Sequence, residues 1–244
     1  MKKIGYAVLS AALVSCAAVA KDNKVVTNTE AHEDTPIQIG IADPIQYPRS
    51  NCNVTGLRLN MFYGSSFSVR GLDVGLVGVC RDKMSGASFQ AANWVESDFC
   101  GFQGGLLFNV VNGDSTGVQF SFLMNNNRGS IWGVQASSLN VAGSIFGVQC
   151  GFVNWDKSLS QGLQVGFANI DLNEFDGCSA GLVNYADSFS GLQLGLLNVI
   201  SKGGSGVQFG LLNAADTFAG LQFGLLNLIG NAHVPVLPFV NGNF

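Results

Sequence analysis

Charge is scarce in this chain. Of 244 residues, 12 are Lys or Arg and 16 are Asp or Glu, which gives a net charge of −4. So little charge is unlike an acidic disordered chain, and no cluster of Lys and Arg exists to neutralise a phosphate backbone. Nucleic acid is therefore not an expected partner. Histidine is scarcer still: His32 lies in the tether and His233 near the end of the chain, so a triad would have no base within the body. The six cysteines form no C-x-x-C pair, which removes the usual zinc and thioredoxin signatures. The many glycines are not followed by the lysine that a phosphate loop needs. No catalytic residue, cofactor site or metal site emerges, and the chain is not expected to be an enzyme.

What is present begins with Met1-Lys2-Lys3 and an apolar run from Ile4 to Val14. A short positive segment before about ten apolar residues is the pattern of an export signal, and the run is too short for a spanning helix. Two processing sites compete. Leu13-Val14-Ser15-Cys16 resembles a lipobox, with Cys16 as the lipidation site; Ala18-Val19-Ala20 is an A-x-A site. Residues 1–20 are thus read as a signal peptide. Residues 21–35, polar and without period, are read as a flexible tether. Residues 36–55 are an N-terminal cap, 56–233 a β-repeat array and 234–244 a C-terminal cap.

The array is defined by glycine. Gly56, Gly71, Gly86, Gly101, Gly117, Gly133, Gly147, Gly162, Gly177, Gly191, Gly206 and Gly220 recur at intervals of 14 to 16 residues. We number columns from each of these glycines. Column two is Gln in eight units: Gln103, Gln119, Gln135, Gln149, Gln164, Gln193, Gln208 and Gln222. Column seven is Asn in eight: Asn93, Asn140, Asn154, Asn169, Asn184, Asn198, Asn213 and Asn227. Columns one, three and five are mostly apolar, and column four is often Gly. This period of two predicts a strand with one buried face, which the apolar columns are expected to supply. On that assignment Phe209→Asp should destabilise strongly and Gln208→Ser weakly. Column six is apolar as well. Either the chain bends so that columns five and six both point inward, or an apolar stripe runs along the outside and marks a binding face.

A 15-residue unit is too short to contain a helix and suits one coil of a β-solenoid: strand, bend, short strand, bend. About twelve such coils would stack, each covering its neighbour's apolar row. Identical amides would then bond along the stack, with Asn184, Asn198, Asn213 and Asn227 as rungs of one ladder and Gln193, Gln208 and Gln222 in another. The rival fold is an outer-membrane antiparallel β-barrel. Its turns should alternate in length, which the spacings do not, and its aromatic girdles are hard to build from four Tyr and three Trp.

The units resemble the bacterial surface repeat-containing lipoprotein family, with its runs of G-[LV]-Q-x-G-L-[LV]-N. The resemblance covers "GLRLNMFYG" at 56–64, "GLDVGLVG" at 71–78 and most units from Gly101 to Asn227; the ending "PVLPFVNGNF" is also similar. It implies export, attachment to the cell envelope and no established activity. The expected function is therefore structural or adhesive, at the outer membrane or cell surface, alternatively in the periplasm or secreted, with the membrane as a partner through a lipid on Cys16 and an unidentified protein or surface ligand. A barrel-forming pore protein is the alternative. Asp156, Asp171, Asp187 and Asp216 lie nine or ten places after their glycines and read as a solvated turn, since one carboxylate per coil does not converge oxygens for calcium. Cys150 and Cys178 fall in apolar columns and read as small core residues.

Overall fold

The computed structural model describes residues 32–244. Among them there is no helix, and the strands wind into a β-solenoid of about thirteen turns rather than a barrel. The chain divides into two compact units, one ending at Ser137 and one covering Ser138–Phe244. In the second unit, strands Ala168–Ala180, Val183–Leu194, Leu197–Phe209 and Leu212–Ile229 pair in parallel, one coil each. Gly177, Gly191, Gly206 and Gly220 are in register, as are Gln193, Gln208 and Gln222. In the first unit the same register sets Gly71 on Gly86, Gly86 on Gly101 and Gly101 on Gly117. A barrel needs antiparallel neighbours, so the parallel register excludes it.

One turn more than the twelve glycines mark is formed before the first of them. Strand Glu33–Ala42 pairs in parallel with Cys52–Ser66, placing Gln38 on Arg58 in the column of glutamines. Residues 33–35, read from sequence as the end of the tether, are thus already sheet. The signal peptide, Cys16 and the rest of the tether lie outside the described residues. The terminal turns are closed by antiparallel strands: Ile45–Tyr47 against Glu33–Ala42, and Val236–Asn243 against Leu212–Ile229. Such strands blunt the open edges that would otherwise template further stacking.

The phase of the alternation is the opposite of the one hydrophobicity suggests. Gln208 is fully buried, whereas Phe209 is 44% exposed. The same holds for the other glutamines of column two, all buried, while Leu59, Phe89, Phe120, Val165 and Leu194 in column three face outward. Buried apolar side chains come instead from the columns two before and nine after each glycine. In the second unit Phe175, Phe189 and Phe218 pack with Ala186, Ile200, Ala215 and Ile229. In the first, Val54, Val69, Met84 and Phe99 pack with Cys80 and Val95. Each buried phenylalanine contributes about 2 kcal/mol or more, so these narrow cores hold the coils while the amide columns fill the remaining interior.

Candidate functional site

The expected rungs are brought together. Asn184 Nδ2 donates to Asn198 Oδ1 at 2.8 Å, Asn198 Nδ2 to Asn213 Oδ1 at 2.8 Å, and Asn213 Nδ2 to Asn227 Oδ1 at 2.7 Å. Each of these amides also donates to the column-three carbonyl of the next coil: Asn184 to Leu194, Asn198 to Phe209 and Asn213 to Phe223, all at 2.9 Å. Column four is glycine because a Cβ there would strike the ladder: at Gly210 it would lie 2.7 Å from both Asn198 Nδ2 and Asn213 Oδ1. The glutamines run the other way. Gln222 Nε2 donates back to Gln208 Oε1, and Gln208 Nε2 back to Gln193 Oε1, both at 2.6 Å. The two amide rows therefore point their dipoles in opposite directions, and each amide of these rows is tied to its copy in the next coil, although Gln222 Oε1 and, in other coils, Gln103 Nε2 and Gln164 Oε1 are buried without a partner.

The buried column makes the earlier pair of substitutions reverse. Gln208→Ser is expected to cost several kcal/mol, because it strands Gln193 Oε1 in the interior, leaves the Gln222 amide only its bond to the Leu228 carbonyl and opens a cavity between coils. Phe209→Asp loses its ring stack on Phe223, centroids 4.8 Å apart, and is expected to cost about 1 kcal/mol. Thermal unfolding of the two variants checks this; the larger loss must belong to Gln208→Ser.

Two rungs are missed by a fixed column-seven search. Asn109 and Asn125 stand at column eight and are buried in the first unit, with Asn93 Nδ2 donating to Asn109 at 2.7 Å and Asn109 to Asn125 at 2.9 Å. Their signal is the 16-residue spacing after Gly101 and Gly117, which places the extra residue before the rung. Column two also begins without glutamine. Arg58 and Asp73, in successive coils, form a buried bidentate pair with contacts of 2.7 and 2.6 Å. Arg58 is further held by Ser66 Oγ and the Val79 carbonyl, and Asp73 by the Gln90 amide.

The acidic column does not lie in a solvated turn throughout. Asp187 and Asp216 are at the bend, and Asp187 pairs with Lys202 at 2.7 Å. The hydrogen bond from Lys202, then those from Ser201 and Tyr185, hold Asp187 down at about 2. Asp156 and Asp171, however, are buried in consecutive coils, because they stand at column nine, one place before Asp187 and Asp216, where most other coils carry core residues. Gln149 Nε2 donates to Asp156 Oδ1 at 2.8 Å; Gln164 Nε2 lies 2.7 Å from Asp156 Oδ2 and 2.9 Å from Asp171 Oδ1. Burial pushes Asp156 up to about 7 and Asp171 well above the usual carboxylate range, the latter also through repulsion from Asp156. Neither is open to a substrate. Cys150 is exposed and Cys178 half-buried, both with free thiols, so neither is a core residue; apolar columns face out. Among the described residues no group of three or more His, Cys, Asp or Glu is placed to hold a metal.

Accessible chemistry is thus confined to the outside, and the outside is apolar. The bend at columns four to six exposes Phe62, Leu76, Leu106, Leu107, Phe122 and Leu123 in the first unit. In the second it exposes Phe152, Phe167, Leu182, Leu196, Leu211 and Leu225. Column five faces outward, while column six is exposed in five coils, half-buried in six and buried at Ala92, so the exposed stripe is carried by column five. From column zero to column eight, across twelve coils, the only charged residues are Arg58 and Asp73, which are buried against each other. No protein-family model, curated protein or solved structure matches the chain.

Proposed function

We propose that the chain is an exported, envelope-anchored repeat protein that binds through its outer surface and performs no catalysis. The observation that supports this most is the apolar exterior. The interior amides and narrow cores hold the coils without the outer leucines and phenylalanines, which are exposed to solvent. An exposed apolar row such as each unit carries is typical of an interaction site, not of a freely soluble monomer. The buried carboxylates are structural in this reading, since no substrate reaches them. Anchorage rests on the Lys2-Lys3 start, the apolar run and Cys16, and accords with the surface-repeat resemblance.

A diacyl anchor on Cys16 would suffice for stable attachment, at about 0.8 kcal/mol per buried CH₂. The test is palmitate labelling and fractionation of wild type and Cys16→Ser expressed in a bacterium. Labelled, membrane-associated wild type and an unlabelled variant whose mature chain begins near Lys21 are expected. A wild type that takes up no palmitate and already begins at Lys21 rejects lipid anchorage.

A further inference from the structure

We infer that the bend at columns four to six is a lipid-insertion edge: it enters the apolar layer of a membrane surface while the opposite bend stays in water. This rests on the reading of an envelope protein that binds through its exterior, and it names the occupant of that exterior.

Three observations carry it. First, in the second unit, from the Gly147 coil onward, column five is Phe152, Phe167, Leu182, Leu196, Leu211 and Leu225, every one exposed, the first at 61% and the last at 60%. At about 4.8 Å per coil they form a hydrocarbon row of roughly 24 Å. Second, the backbone at this bend is already satisfied along the stack. Phe167 N donates to the Phe152 carbonyl, Leu182 N to Phe167, Leu196 N to Leu182 and Leu211 N to Leu196, each at 2.9 Å. A lipid interior tolerates only backbone whose polar groups are met internally, and a protein partner would ordinarily find polar groups to pair with at the rim of its contact. Third, the exposed charges of this unit, Lys157, Glu174, Asp176, Lys202 and Asp216, stand at columns 10 to 14, the other bend. Between the two regions, at column eight, lie Trp155 and Tyr185. Amphipathic rings at that level are the residues that settle at a membrane–water interface. The first unit repeats the pattern with Met61, Leu76, Leu106 and Phe122 at column five and Trp94 at column eight.

The test is flotation of the full exported chain carrying Cys16→Ser, so that no acyl chain sits on that thiol. The vesicles are phosphatidylethanolamine with phosphatidylcholine. The protein is expected to float with them, equally at about 0.05 and about 0.5 M salt, because the inserted edge carries no charge. Combined Phe167→Asn, Leu182→Asn and Leu196→Asn is expected to reduce the bound fraction at least about tenfold with an unchanged melting curve. Leu196→Trp, which keeps the edge apolar, should shift its emission to the blue on adding vesicles and be quenched by lipids spin-labelled in the acyl chain. A Cys16→Ser chain that stays at the bottom of the gradient overturns the insertion edge, and so does a triple variant that floats as well as its parent. If the parent does not float and instead sediments as an oligomer that the triple variant dissolves, the edge is a contact between copies and the inference is wrong. Wild type anchored in cells by palmitate while Cys16→Ser fails to float would sink insertion alone and leave the envelope assignment standing.

Discussion

Gly206→Ala is expected to unfold the second unit, with a loss of several kcal/mol set against the 5–15 kcal/mol that holds a typical domain together. Two independent costs meet at this position. The backbone has φ +121°, a conformation L side chains rarely adopt. A Cβ built there would also lie 2.0 Å from the Gly191 carbonyl oxygen and 2.9 Å from the Gly191 backbone nitrogen. Backbone cannot rotate aside as a side chain can, so the coils must separate and surrender the hydrogen bonds that join them. An oxygen-to-Cβ distance of 2.0 or 2.1 Å recurs at Gly71, Gly86, Gly101, Gly117, Gly133, Gly162, Gly177, Gly191 and Gly220, which explains why this column admits no other residue. Gly203→Ala is the control. Its nearest neighbour is Thr217 Oγ1 at 2.6 Å, the end of a side chain that can turn, and a cost of about 1 kcal/mol or less is expected. Circular dichroism melts of the two variants decide the matter; similar losses would show that close coil approach is not what fixes the glycine.

The register was legible because a solenoid stacks like on like. Gly206 on Gly220, Gln208 on Gln222 and Asn198 on Asn213 could be aligned from spacing alone, and so could the parallel direction, since the intervals do not alternate. The phase was not legible. A period of two says that Gln208 and Phe209 face opposite ways, but the choice of which is inside rested on hydrophobicity, and hydrophobicity chose wrongly. Amide rows can be buried cheaply only when each amide meets its copy in the next coil, a gain that belongs to the stack and is invisible in one unit. Asn109 and Asn125 were hidden by a shift of one column. Asp156 and Asp171 were misread for a related reason: by sequence a carboxylate at column nine groups with the charged bend, yet column nine is the last inward position before it. The phenylalanines two places before glycine, Phe99, Phe175, Phe189 and Phe218, were visible as a column, but their burial could not be told from the outward Phe209 and Phe223.

Asp156 and Asp171 give the second large effect, and it runs opposite to ordinary acid denaturation. Gln164 Nε2 has two hydrogens and faces three acceptors, Asp156 Oδ2, Asp171 Oδ1 and Gln149 Oε1 at 3.2 Å, so the cluster is best satisfied when a carboxyl brings its own proton. Burial raises the folded pKa of Asp156 from 3.8 to about 7 and that of Asp171 in the same direction. Below about pH 4 both groups are neutral folded and unfolded, and there is no penalty. As pH rises from 4 to 7, the unfolded chain releases protons that the folded chain retains, so stability falls across that window. For Asp156 alone the accumulated penalty reaches about 4 kcal/mol by neutral pH. Asp156→Asn, which mimics the neutral acid, is therefore expected to raise the melting temperature of the second unit by more than about 10 °C at pH 8 and to change it little at pH 4. Asp187 behaves conversely: its lowered pKa makes its ion pair with Lys202 a contribution present above pH 4 and lost as pH falls towards 2, a minor term at the exposed bend. Melting curves of wild type and Asp156→Asn between pH 4 and 8 separate the two. A gap that widens with pH is the expected result, and a constant or narrowing gap would mean that the buried pair does not hold its protons in the folded coil.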